Sequence, residues 1–218
     1  MPLSRRQFNQ VVASLFAAAY AGRAATAAEL KEGEDWRAIK PPQPSDVPGK
    51  IEVLEFFSYG CPHCSSLNPL AKTWAAQLPE DIAFRRVPVT FGRRAWANLA
   101  RLYYALEIMG SLEQLDQDIF DAIHEERVRL STEPAMIEWL KGKDVDTDRF
   151  EQVYASFDVQ TKLGRADYLA SRYVIDAVPT ITVGGRYAVL GRRVKTLPDL
   201  LEIADGLVEK ARAQTSPT

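Results

Sequence analysis

The only two cysteines of the 218-residue chain lie in Phe56-Phe57-Ser58-Tyr59-Gly60-Cys61-Pro62-His63-Cys64, with two residues between them. The stretch before them, Ile51-Glu52-Val53-Leu54-Glu55-Phe56-Phe57, carries apolar residues on both alternating faces. That is the pattern of a strand covered on both sides. The stretch after them places Leu67, Leu70, Ala71 and Trp74 at helical spacing through Leu78, with Pro69 as a kink. The pair therefore sits where a strand hands over to a helix, the setting in which Cys-x-x-Cys reads as redox-active.

The rest of the chain divides around that point. Trp36-Arg37-Ala38-Ile39 reads as a short edge strand, followed by Pro41, Pro42, Pro44 and Pro48 and a Gly49-Lys50 turn. A second strand is expected over 82–91, with Pro88 near its end. Residues 93–161 carry only helical patterns: Trp96, Leu99, Tyr103 and Leu106; then Leu112, Leu115, Ile119 and Ile123 after a Ser111…Gln114 capping box. A short helix capped by Thr132 and a stripe of Phe150, Val153, Tyr154 and Phe157 follow. A helix through Leu163–Tyr173 leads to a hairpin, Thr180–Val183 and Tyr187–Leu190 about Gly184-Gly185. Thr196 caps a last helix with Leu200, Leu201, Ala204 and Leu207 inward, and residues 213–218 are expected to fray. This is an α/β domain, 28–92 and 162–218, interrupted by an all-helical insertion, 93–161.

Residues 1–27 have the three parts of a secretory signal: Arg5 and Arg6 with no acid, an apolar Val11–Ala21, and Ala25-Thr26-Ala27 as the cleavage pattern. Ser4-Arg5-Arg6-Gln7-Phe8 also resembles the twin-arginine signature, with Asn9 where an apolar residue is usual. Either route delivers the chain outside the cytoplasm, where disulfides persist. A net charge of −2 gives no basic footprint for nucleic acid. Hydrophobic residues at 46% suffice for a full core, so one disulfide is not needed as a staple.

The two thiols differ in position. Cys61 falls at the helix N-terminus, where free backbone N–H groups and the positive dipole end favour a thiolate, the nucleophilic form. Cys64 lies one turn in and suits a resolving thiol. Pro62 fits the first turn because its missing N–H would have no partner there. His63 adds a donor or positive charge. Holding Cys61 as thiolate favours the reduced pair and makes the disulfide an oxidant. Other chemistries fit less well. A zinc site lacks ligands beyond His63 and His124, and Ser65 stands where haem attachment needs histidine. A purely structural disulfide across three residues would remove little chain entropy.

Glu55, six residues before Cys61, lies inside the buried run. It is either a buried acid that relays the Cys64 proton, paired with Arg85 or Arg86, or a strand-edge carboxylate facing water. Pro179, after Val178, is either a plain trans loop proline or, given its order after the cysteines, a cis one. His124, beside Glu125 and Glu126, reads as an exposed or capping histidine.

Val53-Leu54-Glu55-Phe56-Phe57-Ser58-Tyr59-Gly60-Cys61-Pro62-His63-Cys64, with the later Val178-Pro179 and the terminal hairpin and helix, resembles the DsbA family of bacterial periplasmic thiol:disulfide oxidants. The resemblance covers the mature chain. It implies a thioredoxin fold with an inserted helical domain, Cys61 as the attacking and attacked sulfur, Cys64 as resolving thiol, and Pro179 in cis. The Val178 backbone would bind an extended substrate segment. It further implies no cofactor beyond the Cys61–Cys64 disulfide, no metal, and a monomer acting on exported proteins with free cysteines. Reoxidation would come from a quinone-linked membrane protein of the DsbB type. Gly60 replaces the aromatic of some members, and Asn68 replaces a second acid. The expected activity is protein-dithiol oxidation in the periplasm. An isomerase or reductase, and a peptide-binding holdase without exchange, are the alternatives.

Overall fold

The computed structural model describes residues 30–192 and 194–215. The expected signal and its twin-arginine segment, and the last three residues, lie outside the described residues. Among the described residues five strands form one mixed sheet in the order β1-β5-β4-β2-β3: β1 (Trp36–Ala38), β2 (Ile51–Phe57), β3 (Ile82–Pro88), β4 (Thr180–Val183) and β5 (Tyr187–Val189). β2 runs parallel to β3 and antiparallel to β4, and β5 is antiparallel to both β4 and β1. Val53, Leu54, Phe56 and Phe57 are all but sealed from solvent, as a strand flanked on both sides requires. Phe56 meets the Tyr173 ring on one face, and Phe57 meets Tyr59, Tyr103 and Phe120 on the other.

α1 (Pro62–Ala75) follows β2, three residues shorter than the periodicity suggests. Between β3 and β4 come α2 (Arg94–Met109), α3 (Leu112–His124), α4 (Glu133–Leu140), α5 (Thr147–Tyr154) and α6 (Phe157–Arg172). α7 (Leu197–Thr215) packs on β2, β4 and β5, with Leu200, Leu201, Ala204 and Leu207 buried. It extends through 213–215, where fraying was expected.

The expected capping box at Ser111 does not form. Ser111 is occupied by the end of α2 instead: Gly110 turns left-handed (φ 75°), and the Ser111 N–H reaches back to the Leu106 carbonyl. The stripe ending in Phe157 is also two helices. Ser156 caps α6 by accepting from the Val159 N–H, and Phe157 begins that helix 82% exposed. At the hairpin, Gly184 and Gly185 both have positive φ, and a Cβ on Gly185 would lie 2.0 Å from the Gln43 carbonyl oxygen. That approach ties the proline-rich segment to the hairpin through Gln43 N–H to Gly185 O at 2.8 Å.

Candidate active site

Cys61 is the N-cap of α1, with extended backbone (φ −106°, ψ 117°), and Pro62 opens the helix. Proline at that point leaves the N–H groups of His63 and Cys64 free to face the Cys61 sulfur. Both cysteines are free thiols and both are buried, whereas Pro62 and His63 are exposed. The Cys61 thiol is drawn down to about 6. The hydrogen bond from Cys64 contributes most; burial opposes it, and the two backbone N–H groups and the His63 charge add to it. Cys64 is pushed far up by burial, then by its hydrogen bond to Cys61 and the charge there, with Glu55 adding. One sulfur is thus set to ionise and its neighbour to keep a proton.

The Val178–Pro179 peptide is cis, and the Val178 carbonyl oxygen lies 3.5 Å from Cys61 Sγ as its acceptor. Both residues are half-buried. Glu55 is fully buried, and its partner is Arg86, which faces it in register and donates Nε to Oε2 at 2.9 Å. Arg85, one residue earlier, points to the other face and binds Glu52. The carboxylate facing water is therefore not the structure's arrangement. Burial raises Glu55 above the usual carboxyl range, Arg86 opposes this, and the charge of Asp116 reinforces it.

Several residues close to the site carried no assignment in the sequence. Asp116, on α3, is 2% exposed and accepts from Tyr59 OH at 2.7 Å, Arg86 Nη1 at 2.8 Å and Asn68 Nδ2 at 2.9 Å. Lys72 Nζ adds an ion pair at 2.7 Å. Asn68, where some members of the resembling family carry an acid, is thus hydrogen-bonded to an acid arriving from another helix. One signal was available: Asp116 interrupts the Leu112–Ile123 apolar stripe on its buried side. His124 is not an exposed or capping histidine. Its Nε2 lies 2.8 Å from the Tyr59 carbonyl, and its ring stacks on Phe120. Trp96 explains Gly60: a Cβ there would meet the indole Nε1 at 2.7 Å, so the aromatic at this rim comes from α2. Phe91 packs beside it. Among the described residues no group of three His, Cys, Asp or Glu is placed to hold a metal ion.

A dithiol that ionises at one sulfur and not at the other, on a thioredoxin-type sheet, is equipped for thiol–disulfide exchange; the chain is a thiol:disulfide oxidoreductase of thioredoxin fold with helices inserted between β3 and β4. The DSBA-like thioredoxin domain family matches residues 52–202. The thiol:disulfide interchange protein DsbA of Azotobacter vinelandii is 38% identical over 200 residues, 92% of this chain and 93% of the relative. That of Pseudomonas aeruginosa is 37% identical over 202 residues, 93% of each. The crystal structure of Pseudomonas aeruginosa DsbA superposes with a TM-score of 0.81 at 36% identity, covering 85% of this chain and 96% of that one. The oxidoreductase DsbA from Xylella fastidiosa gives 0.78 at 33%, covering 84% and 98%. The chain belongs to the DsbA family.

Proposed function

We propose that this chain donates its Cys61–Cys64 disulfide to reduced proteins newly exported to the periplasm, acting as a monomer. The observation that carries the reading is the split between the two thiols. A Cys61 thiol at about 6 stabilises the reduced pair as a thiolate, which makes the oxidised pair a strong acceptor of electrons. A substrate thiolate attacks Cys61 Sγ, the Cys61–Cys64 bond breaks, and Cys64 leaves with the electron pair. A second substrate thiolate then attacks the substrate sulfur of the mixed disulfide, and Cys61 leaves as thiolate. Two electrons pass to the enzyme and one disulfide appears in the substrate.

Cys64 cannot remain an anion at 0% exposure, so it takes up a proton on leaving. Glu55, raised towards its neutral form and close enough to act on Cys64, serves as that donor, and as acceptor when the pair is reoxidised. Pro62 and His63 keep the Cys61 sulfur at an open helix end. Val178 and Pro179 receive an extended substrate segment, the Val178 carbonyl being already directed at the sulfur. The segment 93–161 serves as a helical insertion domain between thioredoxin parts 28–92 and 162–218. Electrons leave through a quinone-linked membrane partner of the DsbB type. The pair itself is the redox group, and no cofactor or metal is required.

The test is a mixing assay with reduced, unfolded substrate. Disulfide formation should run well ahead of glutathione alone, and equal rates would overturn the reading. Cys64→Ala should trap mixed disulfides through Cys61, which a holdase without exchange would not do.

A further inference from the structure

We propose that Asp116 is a positioning residue for the redox step: by taking most of the donors around the buried acid pair, it keeps Glu55 a neutral acid beside Cys64. The inference rests on the proton-donor reading of Glu55 and names what maintains it.

The allocation of partners is uneven. Asp116 is contacted by four donors: Arg86 Nη1, Lys72 Nζ, Tyr59 OH and Asn68 Nδ2, all within 2.9 Å. Among the described residues Glu55 has one donor, Arg86 Nε, on Oε2, and its buried Oε1 has no partner. Both carboxyls are buried, at 0% and 2% exposure, and both lean on the same guanidinium. Two carboxyls in one dry pocket do not both ionise freely; the better-solvated one keeps the charge. Arg86 is not free to swing wholly to Glu55, because its guanidinium lies 3.9 Å over the Phe57 ring and its Nη1 is held by Asp116.

The groups around Glu55 come from every side of the pocket. β3 supplies Arg86, α3 supplies Asp116, α1 supplies Lys72 and Cys64, and α2 supplies Tyr103, while Tyr59 of the β2–α1 turn is taken up by Asp116. β4 supplies Ile181 opposite Glu55, which does not titrate. Cations from Arg86 and Lys72 lower Asp116 in spite of its burial, while the Asp116 charge works with burial to raise Glu55. The geometric allocation and the charge directions agree. Because Asp116 is carried by a helix inserted between β3 and β4, the insertion reaches the chemistry from behind the cysteines.

The test uses two variants expected to move Glu55 in opposite directions. Asp116→Asn removes the competing charge and leaves Arg86 to Glu55, so Glu55 should titrate at least about one pH unit lower, a tenfold change in its acid-to-base ratio. Lys72→Met, at a partly exposed site, removes a cation that acts on both carboxyls and draws Arg86 towards Asp116, so Glu55 should titrate higher. The readout is carboxyl-carbon NMR titration of Glu55 in the oxidised protein, where neither cysteine titrates. Shifts of the same sign, or a Glu55 midpoint unmoved by either variant, would overturn the inference; a loosened fold cannot produce opposite signs. Should Asp116→Asn fail to fold, Tyr59→Phe decides in its place: it takes a donor from Asp116 and none from Glu55, so Arg86 is drawn to Asp116 and an unmoved or lowered Glu55 midpoint contradicts the proposal. The proton-donor reading fails separately, if Glu55→Gln leaves the rate of mixed-disulfide formation unchanged while the NMR shifts appear as expected.

Discussion

β2 carries two buried acids three residues apart, hence on opposite faces of the sheet, and β3 meets each with one of two adjacent arginines. Glu52 receives Arg85 Nε at 2.6 Å, and Glu55 receives Arg86 Nε at 2.9 Å. The chemistry is the same and the outcome differs. Arg85 is 38% exposed and goes on to Asp46, whose other oxygen takes Arg165, so that charge network opens to solvent. Arg86 is 9% exposed and goes on to Asp116, so both acids and their shared cation stay inside the protein, and only Lys72 leads from Asp116 to solvent. An acid that shares its arginine with an exposed carboxylate at the edge of water is a fastening for the proline-rich segment. An acid that shares its arginine with a second carboxylate in the dry interior is a group that can carry a proton. The lesson is that pairing alone does not define function: each arginine serves two carboxylates, and what differs is whether the shared cation stands in water or in the dry interior.

The largest expected effect separates the two arginines. Arg86→Ala leaves two buried carboxyls without their shared cation and should cost about 3–5 kcal/mol in denaturant unfolding. Arg85→Ala leaves buried Glu52 short of a donor on the side where the arginine met water and should cost less, about 1–2 kcal/mol. Equal losses would erase the distinction. The acids should divide in the same way by kinetics. Glu55→Gln should slow formation of the mixed disulfide, the step in which Cys64 leaves, roughly 100-fold, the lower range of general acid–base contributions, while Glu52→Gln should stay within about twofold. Rapid-quench trapping of the mixed disulfide reads both.

The pH dependence sharpens the picture by sign. Cys61 ionises at about 6 in the folded reduced protein, and an unfolded thiol near about 8.5. Between those values the folded form binds fewer protons, so the reduced protein gains stability as pH rises, and the oxidised form does not. Thermal melts of the two forms should therefore diverge upward from about pH 6, and the advantage should vanish below it. The carboxyls oppose one another. Asp116, lowered, contributes stability that is lost as pH falls through its folded value, whereas Glu55, raised, costs stability as pH rises from the ordinary glutamate value through its own. The smallest effect lies at the rim, away from both acids. Gly60→Ala pushes on the half-buried Trp96 indole and should cost about 1 kcal/mol, with a change in tryptophan fluorescence and no change in the Glu55 titration.

The parts of the fold readable in the sequence were those written in a few neighbouring residues. Ile51–Phe57 announces a strand by its composition, Pro62 announces a helix start, and Gly184-Gly185 announces a hairpin. Ser111 misleads because the same residue satisfies a cap pattern for α3 and closes the left-handed end of α2, and the second use prevails. Phe157 misleads because a continuous apolar spacing hides the break that Ser156 makes. At the site, the cysteines and Glu55 are legible because burial and spacing lie within one strand and one turn. Asp116, Lys72, His124 and Trp96 come to the site from outside the β2–α1 junction, three of them from other helices, so no local pattern connects them to Cys61. The arginine that serves Glu55 was narrowed to two neighbours; register decides it, Glu55 facing Arg86 across the β2–β3 pair.

The measurement that bears most directly on the whole account is a thiolate-absorbance titration of the reduced protein. One thiol should ionise with a midpoint of about 6 and the second should remain protonated through the neutral range. Two thiols ionising together near the ordinary value of about 8.5 would contradict it, because the reduced pair would then have no thiolate to stabilise it.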